Sequence, residues 1–79
     1  MKKTLLYILS SIVSSPDKVE VNQEEQDGII TLTISVDPAD MGRVIGKNGK
    51  VIRAIRNVIK IQGIRQDKKV NVTLLENPS

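Results

Sequence analysis

Apolar residues recur at helical spacing near the start of the chain. Residues at i, i+3, i+4, i+7 and i+8 share one helix face, and these are Leu5, Ile8, Leu9, Ile12 and Val13. The spacing predicts an amphipathic helix over residues 3–14. Pro16 ends it, because a proline disfavours the helical conformation in the residue before it.

The same segment has a competing interpretation as a short signal peptide, because Lys2 and Lys3 precede the apolar run. A signal peptide needs bulk hydrophobicity but no single apolar face, and this run is too short to cross a bilayer. We therefore expect the helix to remain in the mature protein and the protein to be cytoplasmic.

Strict alternation of apolar and polar residues predicts three strands. The first is short, Val19 to Val21, and the polar residues 22–27 after it are expected to form a mobile loop. Asp27-Gly28 is a hairpin turn signal. Two longer alternating runs follow, one with Ile30, Leu32, Ile34 and Val36 and one with Val70, Val72 and Leu74. Such runs are typical of half-buried strands.

Two helices are predicted between the second and third strands. Asp37 is a candidate cap, Pro38 suits the first helical position, and the charge of Asp40 favours the helix dipole. The apolar side of this short helix comprises Met41, Val44 and Ile45, and Gly46 is expected to end it. The next helix is predicted from about Lys50 to Ile61, with Gly63 as its cap. Its expected buried stripe is Val51, Ile52, Ile55, Val58 and Ile59.

The predicted order is α-β-β-α-α-β, an α+β fold in which a three-stranded sheet carries three helices on one face. The 79 residues suffice for one domain spanning 1–79, with a core of about residues 3–75 and a tail at 77–79. A crossover through two helices allows the last strand to pair in parallel with the second strand.

Composition excludes several classes of function. The chain has no cysteine, histidine, tryptophan or phenylalanine, and Tyr7 is its only aromatic residue. Thiolate or histidine metal sites, a histidine general base and a sheet of stacked aromatic residues are therefore excluded. We expect no catalytic residues, metal or cofactor, and we interpret Asp37 and Asp40 as helix caps rather than as an acid/base pair.

Charge is concentrated in one third of the chain. Between residues 41 and 66 there are seven basic residues and no acidic one, although the net charge is only +3. The basic residues are Arg43, Lys47, Lys50, Arg53, Arg56, Lys60 and Arg65. Such a patch is the electrostatic pattern of a nucleic-acid binder.

The loop Gly46-Lys47-Asn48-Gly49 lies between the two predicted helices. A helix that begins after a glycine loop presents unpaired N–H groups and a positive dipole end, which together bind phosphate. The alternative is that Gly46 is only a helix cap and the basic residues are only solvated. Known phosphate motifs do not fit, because the P-loop and the dinucleotide fingerprint both need other glycine spacings.

The segment Gly42–Ile55, with Ile-Gly-x-x-Gly-x-x-Ile between two short helices, resembles the KH signature. The element order resembles the type II (bacterial) KH arrangement, over Lys3 to Leu75. The resemblance implies a non-catalytic protein that binds single-stranded RNA, with the glycine loop on the phosphates. The implied RNA-binding residues are Arg43, Val44, Ile45, Gly46, Lys47, Asn48, Gly49, Lys50, Ile52 and Arg53. The second strand is expected to form the opposite wall of the groove.

The resemblance also implies self-association or pairing with a second protein that contains a KH domain. An alternative function is therefore a KH-fold interaction or dimerisation module without RNA binding. The basic patch favours RNA binding over this alternative, and the lack of catalytic residue types makes an enzyme the least favoured class.

Overall fold

Three helices and three strands are present in the computed structural model, which describes residues 1–75. The helices are α1 (Lys2–Ile12), α2 (Met41–Ile45) and α3 (Lys50–Arg65), and the strands are β1 (Glu20–Gln26), β2 (Ile29–Ser35) and β3 (Lys69–Leu74). Short 3-10 turns occupy Pro16–Lys18, Pro38–Asp40 and Lys47–Gly49. The order α1-β1-β2-α2-α3-β3 confirms the predicted type II KH arrangement. The predicted tail at 77–79 lies outside the described residues.

The sheet has the order β1-β2-β3. β1 and β2 pair antiparallel around Asp27-Gly28, whose positive φ angles of 54° and 79° suit a tight hairpin turn. β3 pairs in parallel with β2, with Ile30 opposite Val70 and Leu32 opposite Val72. The parallel pairing that the crossover allows is therefore present, and β3 forms one edge of the sheet.

The core lies between one face of the sheet and the helices. β2 buries every second side chain, Ile30, Leu32 and Ile34, towards this layer. The helices contribute buried aliphatic residues to the same cluster, namely Leu5, Leu9, Val44, Ile52, Ile55 and Ile59. The amphipathic face predicted for the first helix is thus confirmed for Leu5 and Leu9, which have no exposed surface.

The prediction of a mobile loop at residues 22–27 is wrong. β1 continues to Gln26 and pairs with β2 along its whole length, although only Val21 of this strand is buried. An edge strand needs no apolar residues on either face as long as its backbone pairs with a neighbour. The polar side chains of β1 therefore gave no alternating pattern from which the strand could be predicted.

The end of α3 also differs from the prediction. The helix continues through Gly63 to Arg65, so Gly63 is not a cap. It is instead buried against the start of β3, where an added Cβ would lie 2.5 Å from Val70 Cγ2 and 3.0 Å from the Lys68 carbonyl oxygen. Val58, predicted to be buried, is 42% exposed.

Candidate nucleic-acid interface

The loop Gly46–Gly49 makes one tight turn between α2 and α3. Gly46 ends α2 with φ 74° and ψ 173°, a conformation that is open almost only to glycine. Asn48 (φ 57°, ψ 27°) and Gly49 (φ 73°, ψ 16°) then adopt left-handed conformations in succession. Asparagine is one of the few side-chain-bearing residues that tolerate this region, so the loop's composition fits its backbone.

Two backbone N–H groups of the loop are free to bind a ligand. The Gly49 N–H donates to the Gly46 carbonyl (3.1 Å), and the Lys50 N–H donates to the Lys47 carbonyl. The N–H groups of Lys47 and Asn48 have no backbone acceptor among residues 1–75. They immediately precede the positive end of the 16-residue helix α3, an arrangement that can bind an anion.

Cationic side chains surround this loop. Lys47 and Lys50 are exposed, and Arg53 lies one turn along α3, where its Nη2 donates to the Asn48 carbonyl at 3.4 Å. Arg43 is also exposed and sits 3.8 Å from the buried carboxylate of Asp40. The structure therefore brings the four predicted cations Arg43, Lys47, Lys50 and Arg53 to the loop and its two helices.

Asp40 holds the helix that leads into the loop. Its side chain is only 2% exposed, and its two oxygens accept the backbone N–H groups of Ser14 (3.0 Å) and Ser15 (3.1 Å). The Ser14 hydrogen bond is the main reason that the pKa of Asp40 is lowered, and Ser15 and Arg43 add to it against the effect of desolvation. Asp40 thereby ties the segment after α1 to the start of α2.

The predicted apolar site residues divide into two groups. Val44 has no exposed surface and Ile52 is 8% exposed, so they belong to the core and offer almost no surface to a base. Ile45 is half-buried, as is Val51, whose side chain packs directly against Gly46. Any apolar contact with a base at the loop must therefore come from the half-buried pair.

A groove of about 810 Å³ extends from Arg53 along α3 and β3. Its lining from α3 includes Arg53, Arg56 and Lys60, whereas β2 contributes only Thr31. The sheet wall of this groove is thus β3 and not the expected second strand, because β3 is the edge strand next to β2. β3 also packs beside α3, which the sequence analysis did not predict.

The edge of β3 that faces the groove carries free backbone groups. The N–H groups of Lys69 and Leu75 donate to Gly28 and Ile34, towards the sheet, so those of Val70, Val72 and Leu74 point the other way. Arg56 occupies part of this edge by donating its Nε hydrogen to the Val72 carbonyl at 3.2 Å. Donors and acceptors at such an edge can pair with the polar edges of bases.

The described part of the molecule contains neither a metal-ligand cluster nor a membrane-spanning helix. Residues 1–75 contain no cluster of three acidic, histidine or cysteine side chains that could hold a metal. No helix in this part of the chain is long and apolar enough to cross a membrane.

Comparison with known proteins decides the family. The family model described as "KhpA/KhpB, KH domain" matches residues 2–74. The chain belongs to this family. It is 41% identical to the RNA-binding protein KhpA of Clostridium acetobutylicum over 95% of this chain and 100% of that protein. It is 38% identical to KhpA of Listeria monocytogenes, over 96% and 100% of the two chains, and 34% identical to KhpA of Bacillus subtilis, over 96% and 94%.

Family membership fits the site, because the loop and its cations lie where the KH pattern predicted them. Sequence reasoning missed the contribution of β3 and of residues 68–73 to the groove. The available signal was the crossover through two helices, which allowed β3 to pair in parallel with β2 on the side away from β1.

Proposed function

We propose that this protein binds single-stranded RNA without catalysing a reaction, with its glycine loop on the phosphate backbone and the bases in the groove between α3 and β3. The observation that carries the proposal is the loop itself. Two free N–H groups, the start of a long helix and four nearby cations meet at one exposed turn. The names of the relatives as RNA-binding proteins support the same conclusion.

The groove supports a single strand rather than a duplex. It is bordered by β3's free backbone edge and by side chains of α3, and these can contact base edges only if the bases are unpaired. With Tyr7 as the only aromatic residue, bases must pack on aliphatic and guanidinium surfaces instead of stacked rings. Arg56 lines the groove, and the half-buried Ile45 and Val51 lie beside the loop. RNA is abundant in the cytoplasm, which is the compartment we propose.

We also propose that the protein pairs with a second copy or with KhpB, the other protein in the family's description. Ala54, Val58 and Ile61 are exposed on one side of α3, at spacings of four and three, and the two larger side chains are 42% and 54% exposed. Pairing would give two loops in one particle, and two linked sites raise affinity without new contacts. Pairing through this side of α3 would also fit the alternative function of the protein as an interaction module.

The loop is tested by replacing Lys47→Asp together with Asn48→Asp. Both residues are exposed, and Asp tolerates the left-handed conformation of Asn48, so the melting temperature should change little. RNA affinity should fall more than tenfold, because three units of charge reverse beside the phosphates. For the unmodified protein, two to four phosphate contacts predict a log–log salt slope between about −1.4 and −2.8.

A matched control makes the same chemical changes elsewhere. Lys18→Asp with Asn22→Asp alters two exposed residues outside the loop and groove by the same three units of charge. Fluorescence anisotropy with short labelled single-stranded RNA should show normal affinity for this control. Equal affinities of the loop variant and the control would refute the proposal, and loss of folding in the loop variant would show that the loop is structural.

A further inference from the structure

The groove between α3 and β3 continues well past the loop. Ten residues separate Lys50 from Lys60 in α3, a length of about 15 Å at 1.5 Å per residue. A KH loop clamps about four nucleotides of a strand's backbone. Lys60, Ile64 and Lys69 line the groove at this distance from Lys50 or beyond it.

Two lysines at the far end of the groove form no ion pair with any described residue, although Asp27 and Asp67 line the adjoining cavity with Ile64 and Lys69. The two ion pairs among residues 1–75 are Arg43–Asp40 and Lys68–Glu25, so neither Lys60 nor Lys69 has an acidic partner in this part of the chain. Lys68, whose Nζ lies 2.8 Å from Glu25 Oε2, is the one lysine of the groove lining that an ion pair neutralises among the described residues. None of the described residues that line the groove is acidic.

An exposed apolar side chain lines the same end of the groove as these two lysines. Ile64 is 68% exposed and lies one turn of α3 beyond Lys60. Two ammonium groups and an exposed aliphatic surface in one groove match the chemistry of a nucleotide, since phosphates bind lysines and a base can cover an isoleucine.

We propose that Lys60, Ile64 and Lys69 form a distal segment of the same binding site, which takes the next two nucleotides of a strand held at the loop. The inference rests on the proposed function. A continuous nucleic acid fits better than an acidic peptide, because one uninterrupted cationic lining joins Arg53, near the loop, to Lys69. The full site then holds about six nucleotides rather than four.

The test compares labelled single-stranded RNA of four and six nucleotides, the longer one too short for two complete loop sites. The variant is Lys60→Gln with Lys69→Gln, and the control is Lys3→Gln with Lys18→Gln, which removes the same charge from exposed positions outside the groove. The variant should lose at least tenfold in affinity for the hexamer. Its log–log salt slope for the hexamer should become shallower by about 1.4, at 0.7 per phosphate contact. Tetramer affinity should stay within twofold, and the control should match the unmodified protein on both RNAs. Each RNA is compared between the variant, the control and the unmodified protein. The number of positions at which the protein can bind along that RNA therefore affects all three affinities equally.

Two failures are distinguishable in this design. If Lys47→Asp with Asn48→Asp leaves tetramer binding intact, the proposed function is refuted and the distal segment with it. If tetramer binding depends on the loop but the Lys60/Lys69 variant binds the hexamer as the control does, only the distal segment is refuted. A hexaglutamate peptide that binds through Lys60 and Lys69, while hexamer binding ignores them, would equally overturn the assignment to RNA.

Discussion

The two glycines of the loop have different structural roles. A Cβ at Gly46 would lie 2.3 Å from Val51 Cγ2 and 2.9 Å from the Val51 backbone nitrogen. A Cβ at Gly49 would meet nothing within 4 Å, and its left-handed conformation is one that asparagine also adopts. The KH sequence pattern has glycine at both positions, whereas the backbone conformation requires glycine only at Gly46.

We expect Gly46→Ala to lower the free energy of unfolding by about 2 kcal/mol or more, because its φ/ψ region excludes a side chain and the backbone at Val51 cannot move away easily. Gly49→Asn should cost less than about 1 kcal/mol. Urea denaturation of both variants measures the difference. Equal losses would contradict the distinction between the two glycines.

The interpretation of Asp40 as a helix cap is wrong, because its side chain makes no capping hydrogen bond to α2. Its carboxylate bonds to Ser14 and Ser15, which precede it by more than twenty residues. No local spacing predicts such a partner, since the contact exists only after α1 and α2 have packed. Asp37, in contrast, caps its turn as expected by accepting the Ala39 N–H at 2.9 Å.

Asp40→Asn should lower the melting temperature more than Asp37→Asn, because the new amide NH₂ would face a backbone N–H donor. The pKa of Asp40 is lowered in the folded state, so its stabilisation is present above the ordinary value of 3.8 and is lost as pH falls through the folded value. The gap in melting temperature between Asp40→Asn and the unmodified protein should therefore be widest near neutral pH and narrow below pH 3.8. A gap that is independent of pH would contradict this role.

Hydrophobic periodicity predicted the elements that bury one face. α1, β2 and β3 were recognisable because their apolar residues repeat at the spacing of the element, and the loop between α2 and α3 was recognisable from its glycines. β1 was predicted too short because its polar residues carry no period. The end of α3 was misplaced because the reason for Gly63 is a close approach of β3, which a cap signal does not reveal.

Gly63 sets the spacing between α3 and β3, the two walls of the groove. Alanine is favoured over glycine within a helix by about 1 kcal/mol, yet we expect Gly63→Ala to destabilise the protein by about 1–3 kcal/mol through overpacking against Val70. Adding Val70→Ala removes the nearest atom, Val70 Cγ2, and should recover part of the loss. A double-mutant cycle from thermal unfolding measures the coupling, and purely additive effects would show that the contact is unimportant.

At the scale of the whole molecule, the proposed pairing and the proposed RNA binding would use different sides of α3. With 100° of rotation per residue, Val58 lies roughly 140° and Ile61 roughly 80° around the helix axis from the mean direction of the groove-lining residues Arg53, Lys60 and Ile64. Two copies joined through the first side would leave both grooves open. Pairing of two copies therefore need not compete with RNA binding for the same surface.

Val58→Glu with Ile61→Glu should shift the protein towards the monomer in analytical ultracentrifugation, because paired charges would be buried in the contact. The fold should persist, since both side chains are already largely exposed. Short RNA should still bind the monomer at its loop. An unchanged sedimentation profile would show that this side of α3 is not the contact between copies.

The parallel pairing of β2 with β3 also determines when the groove comes into existence during folding. Ile29 and Lys69, the first partners in that register, are 40 residues apart in the chain. The β1–β2 hairpin closes through the two residues between Gln26 and Ile29 and meets a far smaller entropic barrier. Helix and hairpin can thus be in place while β3 is still unpaired, in which case the groove lacks its second wall. A partly folded chain of this kind has the basic helix but no groove, so the proposed contacts with bases become available only once β3 has paired with β2.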